Sequence, residues 1–177
     1  MGDYRPKIEQ RIAHELLQIG LLLCIALIQM TLAPSLWYFR IDWVLVFVLC
    51  MALVRGFSAG LRWALYGGLA LDLLSSLPLG SYLLGLVIAV VVVAVITDGF
   101  PRDNRLVPTV AVLFVALLYS VTIGLLMSAV GQPIAWGRYP LTIMVPTALA
   151  DGIVTLPIYL VLRRLTRGPQ PAIGFDL

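Results

Sequence analysis

From Ala13 to Leu162 the chain is a succession of apolar runs parted by short turn signals, and nothing else in it restricts the fold so tightly. The runs are Ala13 to Ala33, Ile41 to Val54, Leu61 to Leu77, Ser81 to Thr97, Leu106 to Val130 and Pro140 to Leu162. Most approach the roughly 20 residues that a helix needs to cross a hydrocarbon core of about 30 Å. Between them, Pro34, Arg55-Gly56, Pro78-Leu79-Gly80, Asp98-Gly99-Phe100-Pro101 and Gly131-Gln132-Pro133 combine a helix stopper with polarity or a tight turn. With 61% of 177 residues hydrophobic and 12% charged, a soluble fold cannot hide the apolar surface. The fold class read from this is all-α: a polytopic membrane protein of about six transmembrane helices.

Arg5, Lys7 and Arg11 precede the first run, which is longer than a cleavable signal core and lacks a small-x-small cleavage site, so it reads as a retained helix. Residues 1–12, with Tyr4, Ile8 and Ile12 at helical spacing among charges, read as a cytoplasmic interfacial segment. Residues 13–167 form the six-helix domain, and 168–177, with two prolines and two glycines, a disordered cytoplasmic tail. The second run is short: 14 residues rise only about 21 Å, so that helix starts earlier or sits in thinned lipid.

Basic residues test the number of crossings, because lysine and arginine collect on the cytoplasmic side. Six crossings with the N-terminus inside place Arg5, Lys7, Arg11, Arg55, Arg62, Arg102, Arg105, Arg163, Arg164 and Arg167 in the cytoplasm, ten of the twelve, and only Arg40 and Arg138 outside. If the second run failed to cross, the count would become four inside and eight outside, so six crossings with both termini cytoplasmic are expected. Trp37, Tyr38, Trp43, Trp136 and Tyr139 then line the opposite interface. The net charge of +3, gathered at one face, points to anionic lipid rather than nucleic acid.

The third run carries the clearest pattern. Gly56, Gly60, Ala64, Gly68, Asp72, Ser76 and Gly80 recur every four residues, a small-residue stripe of the kind that lets helix backbones approach closely in lipid. An acid on that stripe must face a partner, water or a proton, since a charge at membrane depth is costly. Asp72 therefore either bonds a neighbouring hydroxyl or backbone group and fixes the helices, or meets a partner or substrate. A second polar row, Thr147, Asp151, Thr155 and Tyr159, lies in the sixth run between Pro146 and Pro157, and Gln29 adds a polar group to the first. The first, third, fifth and sixth helices are expected to form the inner set, with the aliphatic fourth facing lipid or an apolar partner. Cys24 and Cys50 are too few for a disulfide framework or a metal site and read as core residues, and no metal or cofactor is expected.

The segment Gly67-Gly68-Leu69-Ala70-Leu71-Asp72-Leu73-Leu74-Ser75-Ser76-Leu77-Pro78-Leu79-Gly80 resembles the bacterial rod shape-determining protein MreD family. The family's glycine-rich helix, Gly-x3-Asp-Leu-Leu-Ser run and Pro-Leu-Gly turn are matched here at Gly68, Asp72, Leu73, Leu74, Ser75, Pro78 and Gly80. The resemblance implies a non-enzymatic subunit of the cell-elongation machinery in the bacterial inner membrane. It implies direct binding to the single-pass protein MreC, and a larger assembly with MreB, the RodA glycosyltransferase and a class B penicillin-binding transpeptidase, serving cell shape and lateral peptidoglycan synthesis. It also implies a fold similar in plan to the substrate-binding membrane subunits of energy-coupling-factor transporters. The residues expected to dock helices or a partner are Gly60, Ala64, Gly68, Asp72, Ser76, Pro78 and Gly80.

Two other functions fit some of the residues. Asp72, Asp151, Thr155 and Gln29 would line the cavity of a small-molecule transport subunit if the interior were open. An intramembrane aspartyl peptidase would need Asp72 and Asp151 to share a proton, but the asparagine and arginine neighbours that such enzymes carry are missing.

Overall fold

A computed structural model describes residues 8–32, 41–98, 106–132 and 136–166, and among these every regular element is helical. Six α-helices follow in chain order: α1 (Ile8–Leu32), α2 (Trp43–Arg55), α3 (Phe57–Leu74), α4 (Ser81–Asp98), α5 (Leu106–Ala129) and α6 (Val145–Thr166). The tail after residue 166 and the interfacial Trp37 and Tyr38 lie outside the described residues, as do residues 1–7. Ile8 to Ile12, read as part of a short interfacial helix, are continuous with α1.

The helix ends follow from individual residues. Gly56 alone separates α2 from α3: its φ of +91° is one that glycine adopts without a Cβ penalty, and its N–H closes α2 on the Ala52 carbonyl at 3.0 Å. Beyond α5, Gly131 (φ +83°) donates to Ser128 O and Gln132 donates to Met127 O, the paired bonds of a Schellman motif. Before α6 the backbone widens into a π-helical turn over Pro140–Met144, closed by the Val145 N–H on Pro140 O. Pro146, which follows, has no N–H and its ring crowds the carbonyl four residues back, so a looser turn relieves the clash.

The short α2 is the centre of the bundle. It packs against all five other helices, and Val44, Leu45, Val46, Val48, Leu49 and Cys50 are sealed from the surface. Around it run α1, α3, α4, α5 and α6, each packed against the next, whereas α1 and α6 make no close approach among the described residues. This differs from the expected inner set. Enclosure inside the ring lets 13 residues suffice for α2, which never has to match the bilayer on its own. The aliphatic α4 is also more embedded than expected: Tyr82, Leu86, Ala89, Val90 and Val93 form a buried face between α3 and α5. The peripheral helix is α1, with Leu16, Leu17, Leu21, Leu23, Leu27 and Ile28 outward.

Large apolar side chains cover the outside on every flank: Leu65, Leu69 and Leu73 on α3, Leu84 and Val95 on α4, Phe114 and Leu125 on α5, and Ile153 and Val161 on α6. Apolar surface of that extent is stable only in lipid or beneath a partner. By length and composition two segments, Val110–Ala129 and Pro140–Arg164, are sufficient to cross a membrane, and Glu15–Thr31, Trp43–Arg55 and Ser81–Thr97 are shorter apolar helices.

Candidate functional site

The small-residue stripe faces this chain's own helices. A Cβ placed on Gly60 would lie 2.5 Å from Ala52 Cβ on α2 and 3.2 Å from Val90 Cγ1 on α4. One on Gly68 would lie 2.5 Å from Leu83 Cα, so backbone meets backbone there, and Ala64 between them is fully buried. Ser76 and Gly80 depart from the expected row. Helix α3 ends at Leu74, Ser75 turns extended, Ser76 is exposed, and Gly80 (φ +98°) precedes the first residue of α4.

Asp72 explains why α4 begins where it does. The residue at the cap position is Gly80, which has no side chain to offer, while the first turn of any helix leaves its N–H groups without intrahelical acceptors. Asp72 reaches across from α3 and supplies them. Its Oδ2 accepts the Gly80 N–H at 2.9 Å and the Leu83 N–H at 3.2 Å, and its Oδ1 accepts the Tyr82 N–H at 2.8 Å. This is N-capping performed from a neighbouring helix, with the carboxylate also placed at the positive end of the helix dipole. Pro78 finishes the turn by accepting both the N–H and the hydroxyl of Ser81, at 3.2 and 2.8 Å. Asp72 is 3% exposed, and three charge-assisted bonds are what make that burial tolerable.

The second buried acid repeats this arrangement at the start of α2. Asp151 of α6 accepts the Asp42 N–H on Oδ1 at 2.9 Å. Gln29 of α1 donates from Nε2 to Asp42 Oδ1 at 3.0 Å and accepts the Val44 N–H on Oε1 at 3.1 Å. Helices α1 and α6, which do not touch, are thus both tied to the three residues that open α2. Thr155, expected beside Asp151, bonds back to the Asp151 carbonyl at 2.5 Å, an ordinary one-turn contact, while Cys50 Sγ lies 3.8 Å from the Thr155 carbonyl.

The structure therefore brings Gln29, Asp151 and Thr155 together and places Asp72 elsewhere. No hydrogen bond joins Asp72 to Asp151; each is committed to a different helix start. Among the described residues no cluster of three or more His, Cys, Asp or Glu is arranged to hold a metal ion. Sequence reasoning missed Asp42, although an acid directly before an apolar run is a helix-start signal. It also missed Glu15, which bridges α1 to α3: Arg62 Nη1 stands 3.6 Å from Glu15 Oε1, and the Tyr66 hydroxyl donates to Glu15 Oε2. At the end of the bundle where α5 stops and α6 begins, Trp136 and Tyr139 meet edge to face with centroids 5.9 Å apart, over the bare surface of Gly124.

Comparison with known proteins adds one result. No curated protein and no solved structure matches the chain. The family model described as rod shape-determining protein MreD matches residues 10–168, a stretch that takes in both carboxylate caps and the body of all six helices. An exterior coated in apolar side chains is consistent with a membrane protein, and by the match over residues 10–168 the chain belongs to the MreD family of rod shape-determining membrane proteins.

Proposed function

We propose that this protein is a non-enzymatic scaffold subunit of the bacterial cell-elongation complex, crossing the cytoplasmic membrane six times with both termini inside. Its direct partner is MreC, and through MreC it joins MreB filaments to the RodA glycosyltransferase and the class B transpeptidase that build the lateral wall. The observation that carries the reading is the family match over residues 10–168. It is supported by how Asp72 and Asp151 are used: both bind backbone N–H groups and fix helix starts. The six-helix plan, like that of energy-coupling-factor substrate-binding subunits, serves here as a frame rather than a ligand pocket.

Because α2 and α4 already fill the small-residue stripe, the single helix of MreC is received on an outer apolar face. Arg55, Arg62, Arg163 and Arg164 then lie together at the cytoplasmic end, where anionic lipid gathers. The test is co-purification in mild detergent with tagged MreC. Recovery of both chains in constant ratio is expected, and a protein that repeatedly emerges with neither MreC nor any wall enzyme defeats the proposal.

A further inference from the structure

Helix α6 carries a proline where a membrane helix can least spare an N–H. Pro157 lies in its interior, so the carbonyl four residues back, that of Ile153, receives no hydrogen bond from position 157. Ile153 precedes Arg164 by 11 residues, which at 1.5 Å each is about 16 Å, half of a bilayer core of about 30 Å. The other outer helices α1, α3 and α4 contain no proline.

The freed carbonyl is on the side of α6 that its own bundle does not serve. Ile153 is 70% exposed, and Leu149, Leu156, Pro157 and Leu160 stand exposed on the same face. The inward contacts of α6 leave from other positions: Gly152 against Leu113 of α5, Asp151 at the start of α2, and Thr155 beside Cys50. The Thr155 hydroxyl is spent on the Asp151 carbonyl, and no side-chain hydrogen bond among the described residues reaches Ile153. Acyl chains carry no donor and the middle of a bilayer holds no water, so lipid leaves the acceptor unmet. A neighbouring helix can meet it, because hydroxyl and amide side chains donate across helix interfaces in membranes.

We propose that the partner's single helix docks on the α6 face of Leu149, Ile153, Leu156 and Leu160, and carries at mid-membrane a hydroxyl or amide side chain that donates to the Ile153 carbonyl. The leucines supply the apolar flanks, and the carbonyl, partly negative and turned outward, fixes the depth at which the donor must sit. This rests on the scaffold reading above, with α6 as a crossing.

The experiment uses the full chain co-expressed with tagged MreC, with a photo-crosslinking residue in place of Leu149, Leu156 or Leu160, and as controls in place of Leu69 on α3, Leu84 on α4 or Phe114 on α5. Adducts with MreC are expected from the α6 positions and not from the controls. Pro157→Ala gives the Ile153 carbonyl its helical N–H back. Recovery of MreC is then expected to fall about threefold to twentyfold, the range that one interhelical hydrogen bond in a bilayer commands. The Pro157→Ala chain alone should unfold at the same or a higher concentration of denaturing detergent, so the loss is not one of folding. Replacing Pro157 by the α-hydroxy acid analogue of alanine, which has neither ring nor N–H, should keep the partner, so the loss is not one of helix shape. Adducts with MreC from the control helices, adducts with a second copy of this chain at the α6 positions, or undiminished recovery with Pro157→Ala overturn the proposal. Absence of MreC from the unsubstituted preparation overturns the scaffold reading beneath it, and is seen before any crosslink is made.

Discussion

At the scale of single residues, a buried acid acts here as a piece of the backbone hydrogen-bond system. Three N–H groups at the start of α4 donate to Asp72. Losing a cap costs about 0.5 to 2 kcal/mol, and leaving a buried donor unsatisfied about 1 to 3 kcal/mol. Asp72→Ala is therefore expected to destabilise the bundle by about 3 kcal/mol. Asp72→Asn, which keeps one oxygen acceptor but loses the charge, should cost about half of that. Unfolding in mixed micelles of increasing denaturing detergent measures both, and equal midpoints for Asp72→Ala and the parent would show that the cap carries no weight. Glycine at position 68 is a different kind of necessity. Its absent Cβ is what lets α3 meet the backbone of Leu83, so Gly68→Leu has to push α4 away, at a cost of at least about 1 to 3 kcal/mol. Val91→Leu, on an exposed position of α4, should fall within about 0.5 kcal/mol of the parent. Comparable folded yields for the two leucine variants would reject that assignment of faces.

At the scale of elements, two helices begin only because their neighbours reach over to cap them, and α2 depends on two such neighbours at once. Asp151 secures it to α6 and Gln29 to α1, within a segment of three residues. Removal of either tie should loosen the start of α2 and weaken the other. Asp151→Ala and Gln29→Ala are accordingly expected to be non-additive, with a coupling energy of about 0.5 to 3 kcal/mol in a double-mutant cycle. Strict additivity would mean that the two ties act independently. The same interplay shows what was legible in the sequence. Runs of apolar residues, prolines and glycines marked each helix and nearly each end, because those signals are local. The small row from Gly60 to Asp72 was legible as a face, for the same reason. What escaped was which helix meets which: α2 looked too short to cross and α4 too aliphatic to be inside, yet burial depends on neighbours from distant parts of the chain. Asp42 escaped because its partners, Gln29 and Asp151, come from helices on either side of it in sequence and far apart from each other. Ser76 was placed on the row because a four-residue period cannot reveal that the helix has already stopped.

At the scale of the whole molecule, orientation is set by charge and tested by the shortest helix. Arg55 and Arg62 flank the single-residue joint between α2 and α3, so these two helices cross together or leave two arginines stranded. Inserting arginine at the centre of a membrane helix costs about 2.5 to 3.5 kcal/mol, more than a short helix loses when five neighbours pack against it. A complete crossing of α2 is the outcome that physics favours, and it requires Asp42 and the Gly56 joint to lie on opposite faces. Truncated chains fused after residue 56, after residue 79 and after residue 166 to a phosphatase active only outside, or to a fluorescent protein that folds only inside, separate the possibilities. Fluorescence is expected at 56 and at 166, and phosphatase activity at 79. If α2 failed to cross, every reporter beyond it would change sides, and the fusion after residue 166 would lose its fluorescence. Moving the basic residues supplies the converse: Arg55→Gln with Arg62→Gln, read in the fusion after residue 79, removes the local bias and should give a mixed population there.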